Sequence, residues 1–483
     1  RRYLDGSKRA VLTVVGRKPA PVASPLDRAV APAPAPAVPF RAPVPEVRTL
    51  RCGAALWVLP RRDLPIVAAA AAVPAGAGAH GPDAGGLASL TAAMMDEGTA
   101  SRSARELAEQ AERMATSLSA SCGWDGSYVS LQCLAPHLDA SLDLACDVLC
   151  HPSFPEAEWG RVRAQTLAAL QAERDSAESR AYRALLRALY PPGHTYRVPV
   201  DGEEATVAAL GRADLGRFHA AHYRPGRAAW VVAGDVDPDR LAEALDARLG
   251  AWTGSAAPGP EMARPADAAG PRILLLDRPG AAQAVLRVGH VGITRLDPDY
   301  VYLLVFNQIL GGQFTSRLNA RLREEKGFTY GVRSHFDHRR GPGPFSASAA
   351  VQPDRVAEAL ADLRGEVEAL LGDRPPTAQE VDDARRALIE GQARHFETPS
   401  ALISRYVGLF LHGLPPDDHA RFAARLEAVT VDGLRAAAAR HVRPEALVAV
   451  VVADASVVES PLVRLGWPHF QRIDETGAGD ERG

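Results

Sequence analysis

The string GGLASLTAAMMDEGTASRSARELAE, from Gly85 to Glu109, decides the fold that this sequence predicts. Its first half is mostly apolar and indicates a helix over residues 86–97. A second helix is expected over residues 99–107, after the Asp-Glu-Gly turn. The string therefore predicts two consecutive helices.

The same string resembles a segment of the insulinase/pitrilysin-type zinc peptidases. In that family it reads Gly-Leu-Ala-His-x-x-Glu-His-Met, then Gly-Thr, then an Arg-Ser pair that opens the next helix. The matching residues here are Gly86, Leu87, Ala88, Met94, Gly98, Thr99, Arg102 and Ser103. The resemblance implies an α+β fold of two homologous domains, each a mainly antiparallel sheet with helices packed on one face. It extends over about residues 47–465.

The positions that carry the family's zinc chemistry differ in this chain. Where the family places two histidines and a glutamate, the sequence has Ser89, Ala92 and Ala93. The motif works because two imidazoles one helical turn apart bind one Zn²⁺, and the glutamate polarises the attacking water. Alanine has no ligand atom, so the resemblance implies that this helix holds no metal.

The family's third zinc ligand is a glutamate farther along the chain, in a long helix. The corresponding segment here is Thr166 to Gln171 (TLAALQ), which contains no carboxylate. Glu173 and Asp175 follow it, but they match the family's next, non-ligating acidic pair. All three ligands and the general base are therefore missing together.

A second string, VFNQILGGQFTSRLNARLREEKGFTYGVRSHF from Val305 to Phe336, resembles the signature of the family's second half. In relatives, an arginine and a tyrosine of this signature reach across to the zinc half, where they hold the substrate backbone and steady the tetrahedral intermediate. Arg323 and Tyr330 fall on those positions. A guanidinium can donate to carbonyl or carboxylate oxygens, and a phenol can donate to a developing oxyanion. The alternatives are a solvated arginine paired with a neighbouring glutamate and a half-buried strand tyrosine.

Other candidate ligands and bases have structural interpretations. Cys146, Cys150 and His151 have i, i+4, i+5 spacing on a predicted helix, but a fourth metal ligand is not in view. The five cysteines all precede residue 151, an odd and clustered set that indicates buried thiols rather than disulfides. His194 and Tyr196 match a loop of the family and are expected to be packing residues.

The length and the order of segments indicate several parts. A chain of 483 residues favours two domains of roughly 200 residues each. The segments Tyr3–Gly16, Tyr223–Asp235 and His441–Asp454 share one plan, a turn followed by a β-branched strand, which suggests three domain ends. The prediction is a tail strand of a missing upstream domain (1–16), a Pro/Ala-rich linker (17–46), a first domain (47–255), a linker (256–269), a second domain (270–456) and a C-terminal tail (457–483).

Composition excludes some classes of partner. The formal net charge is -3, with 55 basic and 58 acidic residues, which gives no electrostatic footprint for nucleic acid or an anionic membrane. Apolar runs are too short for a transmembrane helix. The richness in Ala, Arg and Gly suits a bacterial protein, and the sequence leaves cytoplasm and periplasm open.

These observations predict the non-zinc-binding half of a zinc metalloendopeptidase, inactive alone. It would form a chamber wall and supply Arg323 and Tyr330 to a zinc-bearing half, which is either upstream in the same polypeptide or a separate subunit. No cofactor is expected in this chain, zinc is expected in the partner half, and the substrate is expected to be an unfolded peptide. The alternative is a non-catalytic scaffold or assembly subunit with the same fold.

Overall fold

The computed structural model describes residues 40–474, apart from 256, 258–261 and 268–269, together with Ala10, Leu12 and Thr13. Its strands are β1 (Glu46–Thr49), β2 (Ala55–Pro60), β3 (Ile66–Val73), β4 (Ser117–Cys122), β5 (Ser127–Leu134), β6 (Ala229–Gly234), β7 (Arg272–Asp277), β8 (Ala284–Val291), β9 (Val332–Phe336), β10 (Pro344–Val351), β11 (Val448–Ala453) and β12 (His469–Ile473).

The helices alternate with these strands. In the first half they are α1 (Leu87–Met95), α2 (Ala104–Arg113), α3 (Leu138–Cys150), α4 (Glu156–Glu173), α5 (Ala177–Leu189), α6 (Glu204–Ala209), α7 (Arg212–His222) and α8 (Pro238–Leu249). In the second half they are α9 (Tyr300–Asn307), α10 (Arg317–Asn319), α11 (Val356–Leu371), α12 (Ala378–Gln392), α13 (Pro399–Leu411), α14 (Asp418–Glu427), α15 (Val431–His441) and α16 (Ala455–Val463). Two π-helical turns, Gln308–Gly312 and Ala320–Glu325, follow α9 and α10.

Two sheets of six strands have matching topology. The strand order is β1-β2-β6-β3-β5-β4 in the first sheet and β12-β7-β11-β8-β10-β9 in the second. In each sheet, the second and third strands of this order pair in parallel, and the strands beyond them pair in antiparallel fashion. Only the outer strand differs, because β1 is antiparallel to β2 whereas β12 is parallel to β7. The predicted α+β class, with two similar sheets and packed helices, is confirmed.

Some predicted segments need a correction. The sequence predicts a tail over residues 457–483, but residues 457–463 complete α16 and residues 469–473 form β12, which pairs with β7 of the second sheet. The second helix begins at Ala104 rather than at Thr99. Its start is fixed by a capping box, in which the Ser103 hydroxyl accepts from Glu106 N and the Glu106 carboxylate accepts from Ser103 N.

The repeated strand plan has a structural counterpart in two of its three copies. Tyr223–Asp235 contains β6, and His441–Asp454 contains β11. Both strands are fully buried and lie third in their sheets. Apart from three isolated positions, the copy at Tyr3–Gly16 lies outside the described residues, as does most of the predicted linker before residue 40.

One helix of each half packs on the sheet of the other half. Helix α5 packs on β8 and β11 of the second sheet, where Leu185 joins a buried cluster with Val450. Helix α13 packs on β3 and β6 of the first sheet, where Tyr406 joins a cluster with Ala70. Because each sheet is covered by a helix from the other half, the two halves share apolar core and depend on each other for burial.

A buried arginine in the loop after β9 fastens the halves further. Arg339 is 1% exposed and lies between the rings of Trp124 and Tyr196, at 3.8 and 4.6 Å from their centroids. Its Nε donates to Asp337 Oδ2 at 2.9 Å, and one Nη donates to the Tyr182 hydroxyl at 3.2 Å. The predicted packing role of Tyr196 is confirmed, since its ring is fully buried in this contact.

Candidate functional site

Helix α1 carries Ser89, Ala92 and Ala93, the positions to which the family resemblance assigns zinc chemistry. It begins after Gly86, whose φ of 91° suits glycine at the turn into the helix. The Ser89 hydroxyl donates to Asp201 Oδ1 at 2.7 Å, while Ala92 is 1% exposed and Ala93 faces solvent. One hydrogen-bonded hydroxyl and two methyl groups provide none of the imidazole or carboxylate ligands that zinc requires.

Helix α4 carries the segment where the third ligand stands in relatives. Thr166 Oγ1 donates to the carbonyl of Val162 at 3.0 Å, one helical turn earlier. Leu170 is 5% exposed and contributes to the first core. The next carboxylate, Glu173, accepts from Arg183 at 2.6 Å. The residues at these helices therefore do not fit the zinc ion that the fold family implies.

Arg323 lies on the π-helical turn after α10, on the surface of the second half. Its guanidinium carbon is 4.1 Å from the centroid of the Phe314 ring, and Nη1 is 3.6 Å from Glu324 Oε1. The side chain is 32% exposed. It therefore has the neighbouring-glutamate contact that one alternative predicts, together with a cation–π contact that the sequence did not reveal.

Tyr330 lies in the turn before β9 and is 92% exposed. The alternative in which it is a half-buried strand residue is therefore wrong. Within the described part of the chain, no hydrogen bond or ring contact joins it to Arg323. Its hydroxyl faces solvent and can donate to a bound molecule.

A buried amide connects the segments that carry these two residues. Asn319 is 5% exposed, and its Nδ2 donates to Val332 O at 2.9 Å while its Oδ1 accepts from Val332 N at 3.0 Å. Val332 opens β9 two residues after Tyr330, and Asn319 precedes Arg323 by one turn. The amide thus fixes the turn against the helix. The sequence signal for this role is a lone asparagine in the motif Ser-Arg-Leu-Asn, which sequence reasoning missed.

Glycine at the preceding turn permits a close approach of two backbones. A Cβ at Gly311 would lie 2.5 Å from Ser334 Oγ and 2.9 Å from Ser334 N, on β9. Any side chain here would displace the strand. Gly311 therefore lets the first π-helical turn pack on the strand that follows Tyr330.

The cysteine and histidine cluster on α3 lacks the properties of a metal site. Burial raises the pKa of Cys150 to about 12 and raises that of Cys146 still further. Among the described residues, Cys146, Cys150 and His151 do not bring their ligand atoms close enough together to form a group that could hold a metal ion. All five described cysteines are free thiols, two of them buried and three partly buried.

Among the described residues, one group of three ligand-type side chains lies close together, in the second half. It consists of Asp297, Asp299 and His441. Asp299 Oδ2 lies 2.8 Å from His441 Nε2 and accepts from Arg440 Nη2 at 2.8 Å. Because a guanidinium already takes the position of a cation, the group is an ion-pair cluster that joins α9 to α15.

Comparison with known proteins identifies the family. Residues 58–196 match the family model described as insulinase (peptidase family M16), and residues 209–388 match the peptidase M16 inactive domain. The chain is 23% identical to "Uncharacterized zinc protease YmxG" of Bacillus subtilis over 331 residues. This alignment covers 67% of this chain and 78% of that protein. It is 25% identical to "Non-peptidase homolog YmxG" of Helicobacter pylori over 335 residues. That alignment covers 68% of this chain and 76% of that protein.

Solved structures show the same architecture. A peptidase M16 inactive domain from Pseudomonas fluorescens superposes with a TM-score of 0.79 at 26% identity, covering 85% of this chain and 97% of that one. A protease from Helicobacter pylori has the same TM-score at 19% identity, covering 85% of this chain and 100% of that one.

The two sheets, the two matched strings and the two family models define a protein with the fold of the M16 peptidases. The chain belongs to the M16, or insulinase, family. Over the part of the chain that the structure describes, no helix is both long and apolar enough to span a bilayer.

Proposed function

We propose that this chain is the non-zinc-binding half of an M16 metalloendopeptidase, and that its second half supplies Arg323 and Tyr330 to a peptide held by a zinc-bearing partner. The observation that carries the proposal is a contrast between two surfaces. Helix α1 has Ser89, Ala92 and Ala93 at the ligand positions, whereas the second half keeps an exposed tyrosine and an arginine on a braced turn. Without its own metal, the chain would contribute only by shaping and binding.

The two side chains have different tasks in this proposal. Tyr330 is 92% exposed, so its hydroxyl can donate to a carbonyl oxygen without losing an existing bond. Arg323 can exchange its contact with Glu324, at 3.6 Å, for a carbonyl or carboxylate of the peptide. The Phe314 ring would hold the guanidinium near the surface during this exchange. Zinc, when bound in the partner half, would supply the activated water.

The test is peptide hydrolysis by the complex of this chain with the zinc-bearing M16 chain of the same organism. Because an oxyanion donor contributes about 100-fold to turnover, Tyr330→Phe should lower kcat by about that factor. Arg323→Ala should raise KM and lower kcat/KM. Arg333→Ala, on the exposed face of β9, is the matched control and should leave both constants unchanged.

The scaffold alternative gives a different result in the same assay. Its support is the H. pylori relative that is called a non-peptidase homolog. If the complex forms and hydrolyses peptide equally well with Tyr330→Phe and Arg323→Ala, the chain acts through its fold alone. The proposal for these two residues is then wrong.

A further inference from the structure

A cleft of about 590 Å³ lies between α4, α5, the loop before α6 and strand β7 of the second sheet. Its apolar lining includes Leu170, Ala184, Val198 and Leu276. Leu170 belongs to the helix segment that has lost the third zinc ligand, and Leu276 comes from the second half. The cleft therefore adjoins the altered metal position and is shared by both halves. Its volume falls in the range of small-ligand sites, about 300–1,000 Å³.

The charged lining of this cleft is predominantly basic. It contains five arginines, namely Arg174, Arg180, Arg183, Arg187 and Arg197. Only three glutamates lie among the lining residues, so the formal charge is 5 − 3 = +2. The chain as a whole carries -3, which makes this basic lining a local feature. Excess positive charge beside apolar surface favours an anionic ligand, because partly dehydrated charges attract more strongly than charges in water.

The three glutamates are already bonded to arginines. Arg183 Nη2 donates to Glu173 Oε2 at 2.6 Å, and Arg187 Nη2 donates to Glu203 Oε1 at 2.6 Å. The third glutamate forms an ion pair with Arg174. These pairs hold their guanidinium groups in fixed positions around the cleft, so little ordering is required when a ligand binds.

Arg197 differs from these paired arginines. Its Nη1 donates to two main-chain carbonyls, of Arg187 at 2.5 Å and of Tyr190 at 2.6 Å. No carboxylate of the described residues bonds to it. Burial and the neighbouring positive charge of Arg187 lower its pKa, and the negative charge of Glu203 partly offsets this.

We propose that this cleft binds a carboxylate next to an apolar group, as at the carboxyl terminus of an unfolded peptide. The guanidinium fork matches the planar geometry of a carboxylate, and the lining around Leu170 and Leu276 accommodates an aliphatic side chain. The glutamates in the wall disfavour highly charged anions. Ligand binding here requires no metal, so this inference is independent of the proposed role of Arg323 and Tyr330.

The experiment is isothermal titration of the full chain with Ala-Leu-Ala-Leu in two forms, the free acid and the C-terminal amide. The free acid should bind at least about tenfold more tightly, since a hydrogen bond to a charged group is being lost in the amide. Leucine alone and inorganic phosphate are the other probes. If leucine binds more weakly than the free-acid peptide, the ligand is a peptide end. If phosphate binds as strongly as the peptide, the cleft is a plain anion site and the proposal is wrong.

Three variants locate the site. Arg197→Gln keeps a donor for the two carbonyls and should weaken free-acid binding about tenfold. Glu173→Gln removes a negative charge and should strengthen binding of the free-acid peptide. This second variant keeps the test valid if Arg197→Gln fails to fold. Arg105→Gln, on the exposed surface of α2, should change nothing. Equal binding of acid and amide, or unchanged binding in both Arg197→Gln and Glu173→Gln, would contradict the assignment.

Discussion

The two halves have the same order for five of the six strands in each sheet, but the helical segments beside them differ in chemistry. In the first half, α1 presents a serine and two alanines where relatives have zinc ligands. In the second half, Arg323 and Tyr330 stay at the surface, and Asn319 braces the turn between them. The difference indicates that buried strands and exchanged helices maintain the fold, while the proposed function depends on a few positions beside the sheets.

The halves also differ at one equivalent position inside their sheets. Ala72 of β3 pairs with the first residue of β6, and Gly289 of β8 pairs with the first residue of β11. The next residues are Val73 in the first sheet and His290 in the second, and both are fully buried. One half therefore has an ionisable side chain where the other has an aliphatic one.

The largest expected effect comes from breaking the contact that joins the halves. Arg339→Ala leaves Asp337 without its guanidinium and opens space between Trp124 and Tyr196. Loss of one partner of a buried ion pair costs about 3–5 kcal/mol, so the free energy of unfolding should fall by that amount. Urea unfolding followed by tryptophan fluorescence measures it. Arg333→Ala is the control. If Arg339→Ala lowers the free energy of unfolding as little as Arg333→Ala does, apolar packing alone holds the halves together.

Acid should destabilise the second half through His290. Burial, reinforced by the charges of Arg264 and Arg443, lowers its pKa to about 4 from 6.5. The unfolded chain binds the proton more readily than the folded chain. The stability that neutral His290 contributes is therefore fully present above pH 6.5 and is lost as the pH falls towards 4. The loss should be about 3 kcal/mol.

The substitution His290→Val copies the residue of the first sheet and removes this pH dependence. Unfolding free energies at several pH values between 7 and 4 should show a shallower slope for the variant than for the natural chain. His469→Val, at an exposed position, is the control. Identical slopes for the natural chain and His290→Val would exclude this histidine as a source of acid sensitivity.

A smaller effect is expected from the brace of the candidate site. Asn319→Ala removes both bonds to Val332 and leaves its backbone N–H and C=O unsatisfied. The free energy of unfolding should fall by about 2 kcal/mol, and the Val332 amide should exchange its hydrogen faster. Hydrogen exchange resolved by residue measures the second effect. Unchanged protection of Val332 would mean that Asn319 does not hold the turn.

The smallest effect is expected at the surface residues themselves. Tyr330→Ala should change the free energy of unfolding by no more than about 0.5 kcal/mol, because the side chain is 92% exposed. Thermal unfolding checks this, with Tyr406→Ala as the buried counterpart that should be strongly destabilised. A large loss at Tyr330 would show that it supports the fold.

Local signals predicted many elements well. Helix α8 starts at Pro238 because the side chain of the preceding Asp237 accepts from the N–H groups of Asp239 and Arg240, which is a purely local signal. The helix predicted over residues 86–97 likewise contains α1, which spans Leu87–Met95. These elements depend on neighbours in the chain, so their residues suffice to identify them.

Features that depend on distant partners were not predictable in this way. The burial of Arg339 depends on aromatic rings more than 140 residues away in sequence, and β12 forms because β7 offers it an edge. At the candidate site, the family resemblance located Arg323 and Tyr330, but neither Phe314 under the guanidinium nor the brace by Asn319 follows from spacing alone.

The most direct test of the account combines metal analysis with peptide hydrolysis. The purified chain should contain no stoichiometric zinc and should not cleave peptide. Added to the zinc-bearing M16 chain of the same organism, it should raise hydrolysis until the two are equimolar. A chain that alone contains one zinc and cleaves peptide, or one that leaves the zinc-bearing chain's activity unchanged, would contradict the account.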